Sequence, residues 1–214
     1  MATVSAGEGL RISWRGMLAA FAVAGFLYLV LRFLNHQLPG ITTHGDKNWA
    51  YVLHVLGGAI VLALAPFQFI APIRNRFRKY HRWAGYAFVA GSLAAFIGFW
   101  ALQPVERDVF RASQATAITL WMLAMTAAVV AARRKRFLTH QHNMSRAFVL
   151  AAYFVVVRLI DGWAMDIIEP WLSKSEDAAL AHSDWIAWIV PLLAVEVYYG
   201  RKWDQLLKRR ERLS

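Results

Sequence analysis

The sequence predicts an all-α integral membrane bundle of about six transmembrane helices, with both termini cytoplasmic, formed by a single membrane domain over residues 1–214. Three observations predict it. First, 58% of the residues are hydrophobic and only 17% are charged, against about 25% charged in ordinary soluble domains. Second, apolar runs recur at 17–34, 49–71, 83–102, 115–132, 147–165 and 185–200, each near the ~20 residues that cross a ~30 Å hydrocarbon core. Third, the segments between these runs alternate in charge.

Threading six runs puts Arg11, Arg15, Arg74, Arg76, Arg78, Lys79 and Arg82 on one side, with Arg133 to Arg136, Arg146 and the Arg201–Arg212 tail. The other side collects acids such as Asp46, Glu106, Asp108, Asp166, Glu169 and Asp184. By the positive-inside rule the basic side is cytoplasmic, which places a multi-pass protein in a cytoplasmic membrane. This asymmetry also accounts for the net charge of +11 without a nucleic-acid partner, so the lipid bilayer is the partner that the composition calls for. The absence of cysteine excludes disulfides, iron–sulfur clusters and thiolate metal sites. No HExxH or GxSxG motif supports a membrane hydrolase.

Taken in order, the first run follows two arginines and is succeeded by "LNHQLPG" rather than a small-x-small cleavage pattern. It reads as a retained anchor helix. The second run, "YVLHVLGGAIVLALAPFQF", carries His54 well inside the outer leaflet. An intramembrane ionisable residue is a functional candidate by default. The third run opens at His81 and carries Ala84, Ala87, Gly91, Ala94 and Gly98 along one face. Small residues there allow either close helix packing or the entry of a flat cofactor.

The fourth run, "ATAITLWMLAMTAAVVAA", has no histidine. The fifth opens with His140, His142 and Arg146 and ends with Arg158 and Asp161. The sixth is short and contains Pro191; its Glu196 is expected at the surface beside Arg201 and Lys202, with no assigned role. Tryptophans and tyrosines near the run ends (Trp49, Trp83, Trp100, Tyr198 among them) fit aromatic belts at the headgroups.

Ideal helical rotation puts His81 on a face with Gly85, Phe88 and Ser92, and His140 on one with Met144, Ala147, Ala151, Phe154 and Arg158. His142 shares a face with Arg146 and Leu150 instead. His81 and His140 thus lie at one depth on the cytoplasmic side. Two neutral imidazoles across a bundle suit the axial positions of a b-type haem, whereas zinc wants three or four ligands. The alternative is that both meet headgroups and water.

His54 lies more than ~20 Å along its helix from the cytoplasmic end and cannot share a metal with His81. With Arg158 and Asp161 it predicts an outer polar site for a quinone, a haem propionate or a small anion. The competing reading is a local Arg158–Asp161 pair, with His54 bonded to a backbone carbonyl.

The segment "HVLGGAIVLALAPFQFIAPIRNRFRKYHRWAGYAF" resembles the signature of an uncharacterised bacterial family of multi-span proteins, domain of unknown function 2306. The elements are His54, Gly57–Gly58, Pro66–Phe69 and His81–Gly85, followed by His140, Met144, Arg146, Arg158 and Leu159. The likeness covers residues 49–159 and implies a bacterial inner-membrane location but no activity. The chain departs from the pattern at Ala65, at Tyr86 and at His142–Asn143, which leaves His140 and His142 as rival functional histidines.

The arrangement is also similar to six-helix b-type cytochromes, where histidines of the third and fifth helices hold one haem. The histidine-free fourth run allows only one such haem here. The readings that follow are a haem b electron carrier or quinone-linked redox protein with a membrane redox partner, or a cofactor-free subunit of a larger complex or small transporter.

Overall fold

The structure, a computed structural model, describes residues 25–28, 30–32, 35, 45–102, 108–159 and 176–212. All secondary structure among these residues is helical. A 3-10 turn at Gly45–Lys47 leads into α1 (Asn48–Phe69), followed by the short α2 (Ala71–Arg76), α3 (Arg78–Ala101), α4 (Asp108–Arg133), α5 (Phe137–Leu159) and α6 (Glu176–Glu211). The first apolar run falls mostly outside the described residues; 25–28 and 30–32 within it are helical.

The second to fifth runs correspond to α1, α3, α4 and α5, but α4 begins at Asp108 rather than 115 and α5 at Phe137 rather than 147, because the polar first turns of both helices lie outside the apolar runs. The second ends early because Ile70 is extended and breaks the helix before α2. The sixth run was expected at 185–200, whereas α6 is a continuous helix of 36 residues containing Pro191. A proline inside a membrane helix is tolerated where neighbours re-satisfy the freed carbonyl.

Among the described residues, three helical stretches are long and apolar enough to cross a membrane: Gly45–Phe69, Arg78–Ala101 and Ala112–Arg133. The other two long helices carry polar groups that lower their hydropathy, His140 to Arg146 at the head of α5 and Asp184, Glu196 and the basic tail in α6. Large apolar side chains nevertheless point outward along the bundle, including Leu56, Leu93, Ile97, Leu123, Val190 and Leu193. A surface of this kind is at rest in hydrocarbon.

The helices are ordered by their packing. α1 lies along α3, α4 lies along α5, and the two pairs meet where α1 touches α5 and α3 touches α4. This closes a four-helix ring in which α3 and α5 are diagonal. α6 packs outside the ring on α5 and α4. The shared core holds Phe88, Ile118, Trp121, Leu150 and Tyr153, all nearly inaccessible.

Two local features set the geometry. At the α1–α3 contact, a Cβ on Gly57 would lie 2.5 Å from the Gly91 oxygen and 2.6 Å from the Ala95 nitrogen. One on Gly98 would collide with the backbones of Ala50 and His54. The small-residue face of the third run is therefore a backbone-to-backbone helix contact, as in other small-residue membrane pairs. Of the two uses open to it from sequence, close packing is the one realised at Gly91 and Gly98.

The second feature is the turn between α4 and α5. Arg136 N–H donates to the Ala131 carbonyl (2.9 Å) and Lys135 N–H to that of Ala132 (3.0 Å), with Lys135 at φ 57°. This is a Schellman closure with lysine where glycine is usual.

Candidate functional site at the basic end of the bundle

His81 and His140 occupy equivalent places. Each is the fourth residue of its helix, and its N–H donates back to the residue before the helix, His81 to Phe77 (3.0 Å) and His140 to Arg136 (2.9 Å). Each therefore stands one turn inside the N-terminal end of its helix, and α3 and α5 are diagonal in the ring. His140 and Arg74 are near enough to act electrostatically on His81. The structure thus brings these two histidines within electrostatic reach of each other.

Their ring nitrogens differ in a useful way. His140 Nδ1 lies 2.9 Å from the Ala128 carbonyl on α4. A carbonyl only accepts, so Nδ1 carries a proton, and in the neutral ring Nε2 then keeps its lone pair. The tight α4–α5 turn makes this bond by folding α5 back beside Ala128. His81 Nδ1 is buried without a hydrogen-bond partner. One turn further along the same face, a Cβ built on Gly85 meets no atom within 4 Å.

His142, the rival of His140, is engaged elsewhere. It stacks on Tyr199 of α6, with centroids 4.4 Å apart and planes 11° apart, and its Nε2 lies 3.2 Å from Glu196 Oε2. Glu196 is held by Arg146, whose Nε and Nη2 donate to its two oxygens at 2.6 Å each. The expected surface pairing of Glu196 with Arg201 and Lys202 is corrected here. Helical rotation turns Glu196 toward α5, where Arg146 sits at the same depth, while Lys202 lies over the Tyr198 and Tyr199 rings.

His142 precedes the apolar run that begins at Ala147. Partial burial, then the Arg146 charge, push its imidazole below the ordinary value, with Glu196 opposing. This α5–α6 cluster is a structural clasp.

The outer site resolves differently. His54 Nδ1–H donates to the Ala95 carbonyl on α3 at 2.8 Å, and its ring rests near Phe99 and Phe154. Bonding to a backbone carbonyl was the plainer of its two readings. The Arg158 side chain and all of Asp161 lie outside the described residues, so the outer site of His54 with Arg158 stands as an expectation from sequence.

What sequence reasoning missed includes a buried polar pair beside Phe154, whose ring packs near His54. Tyr153 O–H donates to Asp184 Oδ1 (2.8 Å), and Trp188 Nε1–H donates to Ser113 Oγ (3.0 Å). Asp184, expected in an outer loop, is instead 1% exposed within α6. The helix begins earlier than the apolar run because its first turns are polar. Gln68, in the "PFQF" end of α1, is a second omission; it is 7% exposed with Nε2 unpartnered. A lone amide inside an apolar run was the available signal.

Among the described residues no three His, Asp or Glu side chains converge on a metal site.

The helical ring, its apolar outer surface and its buried polar groups define a helical membrane protein. More particularly, the chain belongs to the family described as "Predicted membrane protein (DUF2306)", whose profile matches residues 51–199. No curated protein and no solved structure matches the chain.

Proposed function

We propose that the protein is a b-type haem-binding electron carrier or quinone-linked redox protein of a bacterial inner membrane, crossing it six times with both termini in the cytoplasm. The observation that carries this reading is the placing of His81 and His140 one turn inside the N-terminal ends of the diagonal helices α3 and α5, within electrostatic reach of each other. Two features support it: the Ala128 carbonyl holds His140 Nδ1–H, which leaves Nε2 of the neutral ring available, and His81 Nδ1 is buried without a hydrogen-bond partner. A bound haem would supply one-electron iron chemistry.

The chain's own residues supply the rest. The imidazoles ligate, the diagonal spacing orients them, and the Phe88 layer beneath closes the bundle interior to water. The basic groups at this end, Arg74 among them, favour anionic carboxylates such as haem propionates. On the outer side His54 and Arg158 would line a quinone site, and electrons would pass to a membrane redox partner.

A second reading is favoured by the contact of Gly57 with Gly91. It accounts for the small-residue face by packing alone, as in a cofactor-free subunit of a larger complex or a small transporter. A dithionite-reduced minus air-oxidised visible spectrum separates the two. The first reading expects a sharp b-type α-band that His81→Ala or His140→Ala abolishes and His142→Ala spares. A colourless protein from haem-replete cells would overturn it in favour of the second.

A further inference from the structure

An open groove of about 630 Å³ runs along α6 near its basic end. Its lining changes character in one direction. Leu193, Ala194 and Val197 form an exposed apolar floor, Tyr198 follows, and Arg201 and Lys202 stand at the far end. From Leu193 to Arg201 the helix rises ~12 Å. The large apolar side chains of the floor are more than half exposed, Leu193 at 58% and Val197 at 54%.

The two cations have no carboxylate of their own. Glu196, the acid expected beside them, is taken by Arg146 and His142 on α5. Asp204 makes no ion pair among the described residues, and none of their carboxylates is in contact with Arg201 or Lys202. Lys202 Nζ instead rests over the rings of Tyr198 and Tyr199, 6.0 and 5.5 Å from their centroids. That contact holds the ammonium beside the groove without cancelling its charge.

Two unclaimed cations at the end of an exposed apolar groove are complementary to a molecule with an anionic head and an apolar chain. A soluble anion would use the cations and leave the groove empty, while an uncharged lipid would use the groove and leave the cations unanswered. We infer that α6 binds an anionic phospholipid here. Its phosphate accepts hydrogen bonds from Arg201 and Lys202, and an acyl chain lies along Leu193, Ala194 and Val197. The α5–α6 clasp has a part in this, because it withdraws Glu196 from the two cations. The site does not depend on the reading of His81 and His140.

The test is a titration of the purified, delipidated full chain in detergent with phosphatidylglycerol, phosphatidylcholine and inorganic phosphate, bound lipid being counted by native mass spectrometry. Phosphatidylglycerol should bind about thirtyfold more tightly than phosphatidylcholine, about fivefold for each cation at the membrane surface. Arg201→Gln with Lys202→Gln should bring the two lipids level, and Val197→Trp, which fills the groove, should weaken phosphatidylglycerol. Lys208→Gln with Arg209→Gln removes the same charge from the same helix outside the groove and should keep the preference.

Equal binding of the two lipids by the wild type would overturn the inference, as would a preference lost equally in both double variants. Inorganic phosphate that displaces phosphatidylglycerol at matching concentration would make the cations a free-anion site and overturn the lipid. The chain has no cysteine of its own, so Val197→Cys reports on a competing occupant. Its oxidation in membranes to a disulfide-linked dimer in high yield would give the groove to a second copy of the chain and overturn the inference as well.

Discussion

Arg146 grips Glu196 with both arms of its guanidinium, Nε to Oε1 and Nη2 to Oε2, each at 2.6 Å. The contact ties α5 to α6 outside the four-helix ring. Both side chains are about a third exposed (34% and 38%), so solvent screens the pair. A double-mutant cycle with Arg146→Met and Glu196→Gln should return a coupling of about 0.5–1 kcal/mol in detergent unfolding. A cycle with no coupling would show that the clasp contributes nothing to stability.

His142, between Glu196 and Tyr199, gives the clasp a pH dependence. Burial lowers its folded pKa below the unfolded value, so the neutral form belongs to the folded state. Its contribution is fully present above about pH 6.5, the unfolded value, and is lost as pH falls through the lower folded value. Melting temperatures should therefore drop more between pH 7.5 and 5.5 for the wild type than for His142→Phe, which keeps the ring stacked without the titration. Parallel pH profiles for the two proteins would refute the assignment.

Adjacent glycines in α1 have opposite tasks. A Cβ on Gly57 would meet the Gly91 oxygen at 2.5 Å, while one on Gly58 meets nothing within 4 Å. Gly57→Ala must push two backbones apart and should cost roughly 1–3 kcal/mol. Gly58→Ala gains helix propensity and should be neutral or stabilising by up to about 1 kcal/mol. Unfolding of the two variants side by side measures the difference directly, and equal effects would mean that α1 and α3 do not pack this closely.

Lys135 occupies a left-handed conformation, φ 57°, that disfavours residues with a Cβ. Lys135→Gly relieves that strain and keeps the two closing hydrogen bonds, which are made by backbone groups. Stability should rise by about 1 kcal/mol, with the spectrum of any bound cofactor unchanged. A destabilised variant would place the closure of the α4–α5 turn in the lysine side chain instead.

Much of the architecture was legible because hydropathy and helical rotation are local, periodic properties. The apolar runs located α1, α3, α4 and α5, and the charge of the intervening segments marked which ends lie together. Counting residues from their basic loops predicts one depth for His81 and His140, and each proves to be the fourth residue of its helix. The polar start of α6 was not legible, since a hydropathy run ends where the first polar turn begins, while the helix does not.

Tertiary structure alone decided which groups meet. Glu196 stood beside Arg201 and Lys202 in sequence, but the rotation of α6 against α5 gave it to Arg146 and His142. The small-residue face was open to two uses until the approach of Gly57 to Gly91 filled it with backbone. His54 found its partner in a carbonyl on a helix that counting could not align with it. The physical reason is common to all three. The register and rotation of one helix against another follow from the fit of whole surfaces, and no single segment carries that information.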